Sequence, residues 1–297
     1  MIFCEKSRTM KKIQENRVYS FIAVAFVYVV AALVGILIYR ALPFAFYWNL
    51  LIADVISTTA VFVFSLIFKN SSVYDPYWSV APIVMVLYGA FVNGLNLYGL
   101  FLLLTVCFWG IRLTANWAYT FKNLTWQDWR YTMLKEKTGR AYPLINYLGI
   151  HMFPTLVVYS CMLPVCFAIK YRAVLDTPAD IFIILAICAV VLQMISDLQM
   201  HRYRREKKTP FIRVGLWKHS RHPNYLGEIL LWWCLGISFV FAMPEYWYLL
   251  FGALANNIMF LAVSIPMADK RQGRKDGFCE YKRQTNMLIP VKLKRNK

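Results

Sequence analysis

Acid is scarce in this chain: 15 Asp and Glu stand against 33 Lys and Arg, for a formal net charge of +18. Charged residues of both signs make up only 16% of the sequence, well below the quarter usual for a soluble domain. The familiar motifs of soluble enzymes are missing too. No Gly-x-Gly-x-x-Gly follows a strand, which excludes a Rossmann dinucleotide domain. The four histidines form neither His-x-x-x-His nor His-Glu-x-x-His, so no metal site is expected. The seven cysteines contain no Cys-x-x-Cys pair, and most lie in apolar runs. They read as small buried hydrophobes, not as zinc ligands or a disulfide framework. There is no serine nucleophile elbow, no pattern for acyl or phosphoryl transfer, no repeat and no low-complexity segment.

What is present is apolar: 59% of the residues are hydrophobic and 17% aromatic, with a mean hydropathy of +0.47. Runs of roughly 18 or more apolar residues, long enough to cross a bilayer, recur along the whole length. The expected fold is all-α: a polytopic integral membrane protein of about eight transmembrane helices. Expected spans lie near 20–39, 44–68, 77–92, 97–117, 145–169, 180–200, 224–242 and 247–265. Pro154 and Pro164 are expected to kink the fifth. The first run, Ser20 to Tyr39, is too long for the apolar core of a secretory signal, and reads as a membrane helix. Residues 1–19 form a polar lead-in, 20–68 an N-terminal helix pair, 69–290 the main membrane domain, and 291–297 a basic tail.

With eight spans and the N-terminus inside, 29 of the 33 Lys and Arg fall on one side of the membrane. Arg40, Lys170 and Arg172 fall on the other, and Arg112 lies within a span. That is the positive-inside bias. It accounts for the basic charge without a nucleic-acid partner, and it puts both termini and every large polar segment in the cytosol.

One stretch concentrates polar chemistry at the mouth of an apolar helix: Arg221-His222-Pro223-Asn224-Tyr225-Leu226-Gly227-Glu228. Ionisable groups at a membrane edge are costly and therefore point to function. Asn224 and Glu228 are i, i+4 and project from one helix face. Asn224 also fits a plain N-cap, with acid in the first turn. Upstream, Gln193, Asp197 and Arg204 fall near one helical stripe. Gln193 and Asp197 can face a polar cleft, or bond between helices. The arginines Arg112, Arg204, Arg213 and Arg221 suit a phosphate-rich cytosolic ligand such as NADPH, and equally suit acidic lipid headgroups. Asp75-Pro76-Tyr77-Trp78 reads as a possible substrate contact, or as an N-cap with an aromatic anchor. Asp128-Trp129-Arg130-Tyr131 reads alone as a surface segment.

These residues together resemble the steroid 5α-reductase superfamily, in its bacterial-type branch of integral membrane proteins. Ser220 to Glu228 is similar to its C-terminal signature. Asp75-Pro76-Tyr77-Trp78 resembles an early D-x-x-W element, and Trp109-Gly110-Ile111-Arg112-Leu113 a W-G-x-R-L element. Asp128-Trp129-Arg130-Tyr131, Ser196-Asp197-Leu198-Gln199, Gly277 to Tyr281 and Leu288-Ile289-Pro290 follow in order. The likeness covers roughly 70–290. It implies an all-helical enzyme that reduces an activated carbon–carbon double bond with NADPH, its cytosolic loops closing over the cofactor. It places Arg112, Gln193, Asp197, Arg204, Arg221, His222, Asn224 and Tyr281 at the cofactor. Glu228 and Tyr225 are the catalytic candidates, and Asp75 with Trp78 stand for the family's substrate-side Glu and Tyr. A lipophilic substrate, surrounding membrane lipids and a bacterial inner membrane follow from the same resemblance.

Two departures mark this chain. Gln193 stands where the steroid enzymes have Asn, and Pro266-Met267-Ala268-Asp269-Lys270-Arg271 replaces an Arg- and His-rich helix. A rival reading is a membrane methyltransferase of the isoprenylcysteine or phospholipid type, using S-adenosylmethionine. Such enzymes share the R-H-P-x-Y-x-G core but carry a Glu-Glu pair where Ala268-Asp269 stands. A second rival is a non-enzymatic lipid-binding or scaffold membrane protein.

Overall fold

The computed structural model describes residues 11–174, 177–206 and 208–290. Residues 1–10 and the expected tail at 291–297 lie outside the described residues. Among those described, every regular element is helical, and the sole extended pairing is an isolated bridge between Ser220 and Asn286. The main helices are α1 (Arg17–Ala41), α2 (Phe46–Ile67), α3 (Tyr77–Asn93), α4 (Leu97–Thr120), α5 (Trp129–Thr138), α6 (Phe153–Lys170), α7 (Thr177–Glu206), α8 (Pro223–Ala242), α9 (Phe251–Met259), α10 (Ile265–Gln272) and α11 (Phe278–Gln284). Eight helical stretches among the described residues are long and apolar enough to cross a membrane, as the sequence leads one to expect.

Local chemistry explains where the helices start and bend. The Asn16 side chain accepts from the N–H groups of Val18 and Tyr19, capping α1. The polar segment at 118–143 contains a helix that its composition alone does not announce. Asp128 caps α5 by accepting from Arg130 N at 2.9 Å. The fifth span deforms just before Pro154, where residues Asn146–Met152 wind as a π-helix. The eighth deforms likewise: Phe260–Ser264 is π-helical, ahead of Pro266, which has no N–H to give the Ala262 carbonyl. Helix α7 outruns its expected end near 200 by a turn and a half. His201 to Glu206 stay helical, and Arg202 pairs with Glu206 at 3.0 Å, one turn on.

The chain forms two compact units: residues 1–88 with 109–159, and 89–108 with 160–297. In the first, the core gathers Val27, Val61, Tyr74, Tyr77, Phe121 and Leu124. The hydroxyl of Ser57 donates to the Ala31 carbonyl at 2.8 Å and ties α2 to α1. Asn70 donates to the carbonyls of Leu124 and Trp126, knitting the loop before α3 to the loop before α5.

In the second unit, α7 and α8 pack along most of their lengths. Gly227 permits it: a Cβ there would lie 2.5 Å from Gln193 Cγ and 2.7 Å from the Ala189 carbonyl. A second close approach lies at Gly252, where a Cβ would fall 2.2 Å from the Ser160 carbonyl oxygen. Pro164 has no N–H for that carbonyl, and the α9 backbone lies against it.

Candidate functional site

Helix α8 begins at Pro223, which has no N–H of its own, and no side chain caps its first turn. Asn224, Gly227 and Glu228 share one face. Because Gly227 abuts Gln193, the α7 carboxamide lies on that same face. Gln193 is 1% and Glu228 5% exposed. One turn beyond, the buried Trp232 donates its indole N–H to Glu228 Oε1 at 2.8 Å and fixes the carboxyl. The Asn224 side-chain oxygen is buried with no hydrogen-bond partner among the described residues. A polar site of two carboxamides and a carboxyl is thus held in an apolar helix pair. Asp197 is half-buried one turn further along α7, and Arg204 is exposed near its end.

The loop between α7 and α8 folds back on α7. Leu216 N donates to Gln199 Oε1 at 2.9 Å, and the Trp217 indole donates to the Ser196 carbonyl at 3.1 Å. Tyr281, on α11, donates its hydroxyl to the Trp217 carbonyl. Its ring packs with Phe211 and Phe278. Burial pushes the Tyr281 hydroxyl up to about 12, against a smaller opposing pull from Arg221. Tyr281 thus fastens the closing segment onto the loop.

Arg221 and His222 meet a residue that the sequence reading leaves without a role. Asp269 of α10 accepts from Arg221 Nη2 at 3.1 Å on one oxygen, and lies 2.9 Å from His222 Nε2 on the other. Lys282 Nζ stands 3.3 Å away. The Arg221 Nη1 also donates to the carbonyls of Lys282 and Thr285, at 3.1 and 2.7 Å. Arg221 is 8% and Asp269 7% exposed. Most of the Arg221 fork is therefore occupied within the chain, binding the last described segment to the start of α8. His222 stacks on Tyr225, centroids 5.2 Å apart, and Tyr225 packs on Phe260 at 4.8 Å. The sequence carries no signal that singles out Asp269, which shares its basic stretch with Asp276 and Glu280.

Asp75, Trp78 and Arg112 belong to the first unit. Asp75 accepts from the Tyr131 hydroxyl, which joins the D-x-x-W and D-x-R-Y elements. The Trp78 ring lies 6.1 Å from that of Trp109, and Arg112 is half-buried on α4. Within the same unit an acid–phenol pair stands inside the spans: Tyr77 donates to the buried Asp54 of α2 at 2.9 Å. Nearby, Thr155 bonds both Tyr74 and Thr58, at 2.8 and 3.0 Å. No group of three or more His, Cys, Asp or Glu able to hold a metal occurs among the described residues.

Comparison with known proteins places these features in a family. Residues 61–285 match the family described as a protein of unknown function, DUF1295. An uncharacterized protein of Schizosaccharomyces pombe is 28% identical over 225 residues, which is 64% of this chain and 59% of that protein. The chain therefore spans rather less than two thirds of that relative. No solved structure matches. The family match runs from within α2 through α11 and contains the α7–α8 carboxamide face, the Asp269 hub and the loops around Asp75. On that span, the chain belongs to the DUF1295 family.

Proposed function

We propose that the protein is a membrane-embedded NADPH-dependent reductase of an activated carbon–carbon double bond in a lipophilic substrate. The observation that carries this reading is the buried face of Gln193, Asn224 and Glu228 on α7 and α8. Two carboxamides beside an uncapped helix start suit the amide edge of a nicotinamide or adenine. The partnerless Asn224 oxygen is an acceptor awaiting such a donor. The exposed Arg204 supplies phosphate chemistry, while Arg221 contributes mainly by holding the loop. The steroid 5α-reductase-like character of the family's motifs supports the same reading.

NADPH, when bound, supplies the hydride. The protein's share is position and protonation. Trp232 holds Glu228 in one orientation, where it can anchor the carboxamide or carry a proton. Tyr225, fixed between His222 and Phe260, presents a phenol three residues before Glu228.

The test is thermal unfolding of the purified full chain in detergent, titrated with NADPH and with S-adenosylmethionine. A ligand that binds the native state raises its stability. NADPH is expected to raise the melting temperature, and Arg204→Ala to weaken that effect. A rise with S-adenosylmethionine alone replaces the reading with a methyltransferase, and a rise with neither replaces it with a lipid-binding protein. In a reduction assay, Glu228→Gln should lower turnover by roughly two orders of magnitude, the typical worth of a positioned proton donor.

A further inference from the structure

We propose that a cleft between α10, α11 and the segment after α11 binds one anionic lipid, headgroup against Lys270 and Lys282 and acyl chain along Leu261 and Ile265. The cleft measures about 390 Å³ and is lined by Arg221, Leu261, Ile265, Pro266, Asp269, Lys270, Lys282 and Met287. It is distinct from the carboxamide face of α7 and α8, none of whose residues lines it.

Its lining is divided in kind. Three cations and one carboxylate form one part, leaving an excess of two positive charges. Asp269 already neutralises Arg221 and approaches Lys282, whereas Lys270 makes no ion pair among the described residues. The Arg221 Nε, buried in a side chain only 8% exposed, has no acceptor. A buried donor without a partner beside a net positive cleft calls for an anion.

The remaining lining decides which anion. Leu261, Ile265, Pro266 and Met287 are apolar, and a free phosphate makes no use of them. Leu261 is 40% exposed and belongs to the membrane-spanning stretch Pro244–Gln272. Lys270 stands at the polar end of that stretch. Leu261, Ile265 and Asp269 recur every four residues, so the apolar and polar parts follow one another along one side of the span. That order, hydrocarbon then cation, is the order of a lipid from tail to phosphate.

The experiment measures binding to the full chain in detergent, by native mass spectrometry and thermal unfolding. The probes are phosphatidylglycerol, phosphatidylcholine and inorganic phosphate. Phosphatidylglycerol is expected to remain bound and to raise the melting temperature, with phosphatidylcholine and inorganic phosphate weaker. Lys270→Gln should weaken phosphatidylglycerol binding about fivefold, the worth of one lysine at a lipid headgroup. Lys137→Gln, in the other unit, should leave it unchanged. Equal binding of the two lipids, or equal loss in both variants, overturns the proposal. Equal stabilisation by inorganic phosphate reduces the cleft to a simple anion site and overturns the lipid assignment. The comparison of lipids on the unaltered protein stands whether or not the variants fold.

Discussion

Asp269 carries more of the second unit's architecture than any nearby acid. It accepts from Arg221, faces His222 and approaches Lys282. Removing one partner from a buried ion pair costs about 3–5 kcal/mol, because the remaining charge is left without compensation. Asp269→Ala should therefore lower the melting temperature strongly, whereas Glu280→Ala, in an exposed pair with Arg283, should change it little. Equal effects in thermal unfolding would remove Asp269 from this role. None of this was legible from the sequence, since the partners stand 47 and 48 residues away in the chain. Gln193, Asn224 and Glu228 were legible, because polar residues in apolar helices announce themselves by cost. Tyr281 adds a pH dependence. Its hydroxyl is raised by burial from 10.0 to about 12, so the folded state favours the protonated phenol. The stability this contributes is complete below pH 10 and is lost as the pH rises through about 12. Alkaline unfolding of Tyr281→Phe should lack that component.

At the scale of elements, the hydrophobic runs placed the eight spans because span length is set by bilayer thickness, independent of partners. The deformed turns were harder to read. Pro154 marked its irregularity in advance, but the π-helical form of Asn146–Met152 depends on how the freed carbonyls find new donors. The pairing of α7 with α8 rests on Gly227, which the sequence presents as one unremarked residue within a motif. Gly227→Val should force the helices apart at Gln193 and Ala189. Overpacking of this kind costs typically 1–3 kcal/mol. It should also depress NADPH binding, since Gln193 is displaced. An unaltered melting temperature for this variant would mean that the two helices do not pack closely there.

For the whole molecule, the placement of cations makes a topology prediction. Single cysteines at Lys12, Lys137 and Arg205 should label from one side of the membrane, and cysteines at Arg40 and Arg172 from the other. Labelling of both groups from the same side would overturn the eight-span arrangement. One more consequence follows from the Asp269 hub, and it concerns the order of synthesis. A chain grows from its N-terminus, so α8 and its mouth are made before Asp269, Lys282 and Thr285 exist. Until α10 has been made, Arg221 and His222 lack Asp269, the partner that holds both in the folded chain. The carboxamide face of α7 and α8 is thus made first, and its loop is locked only once α10, α11 and the segment after α11 have followed. A nascent chain halted after α8 would hold the residues of the site without the clasp that shapes it.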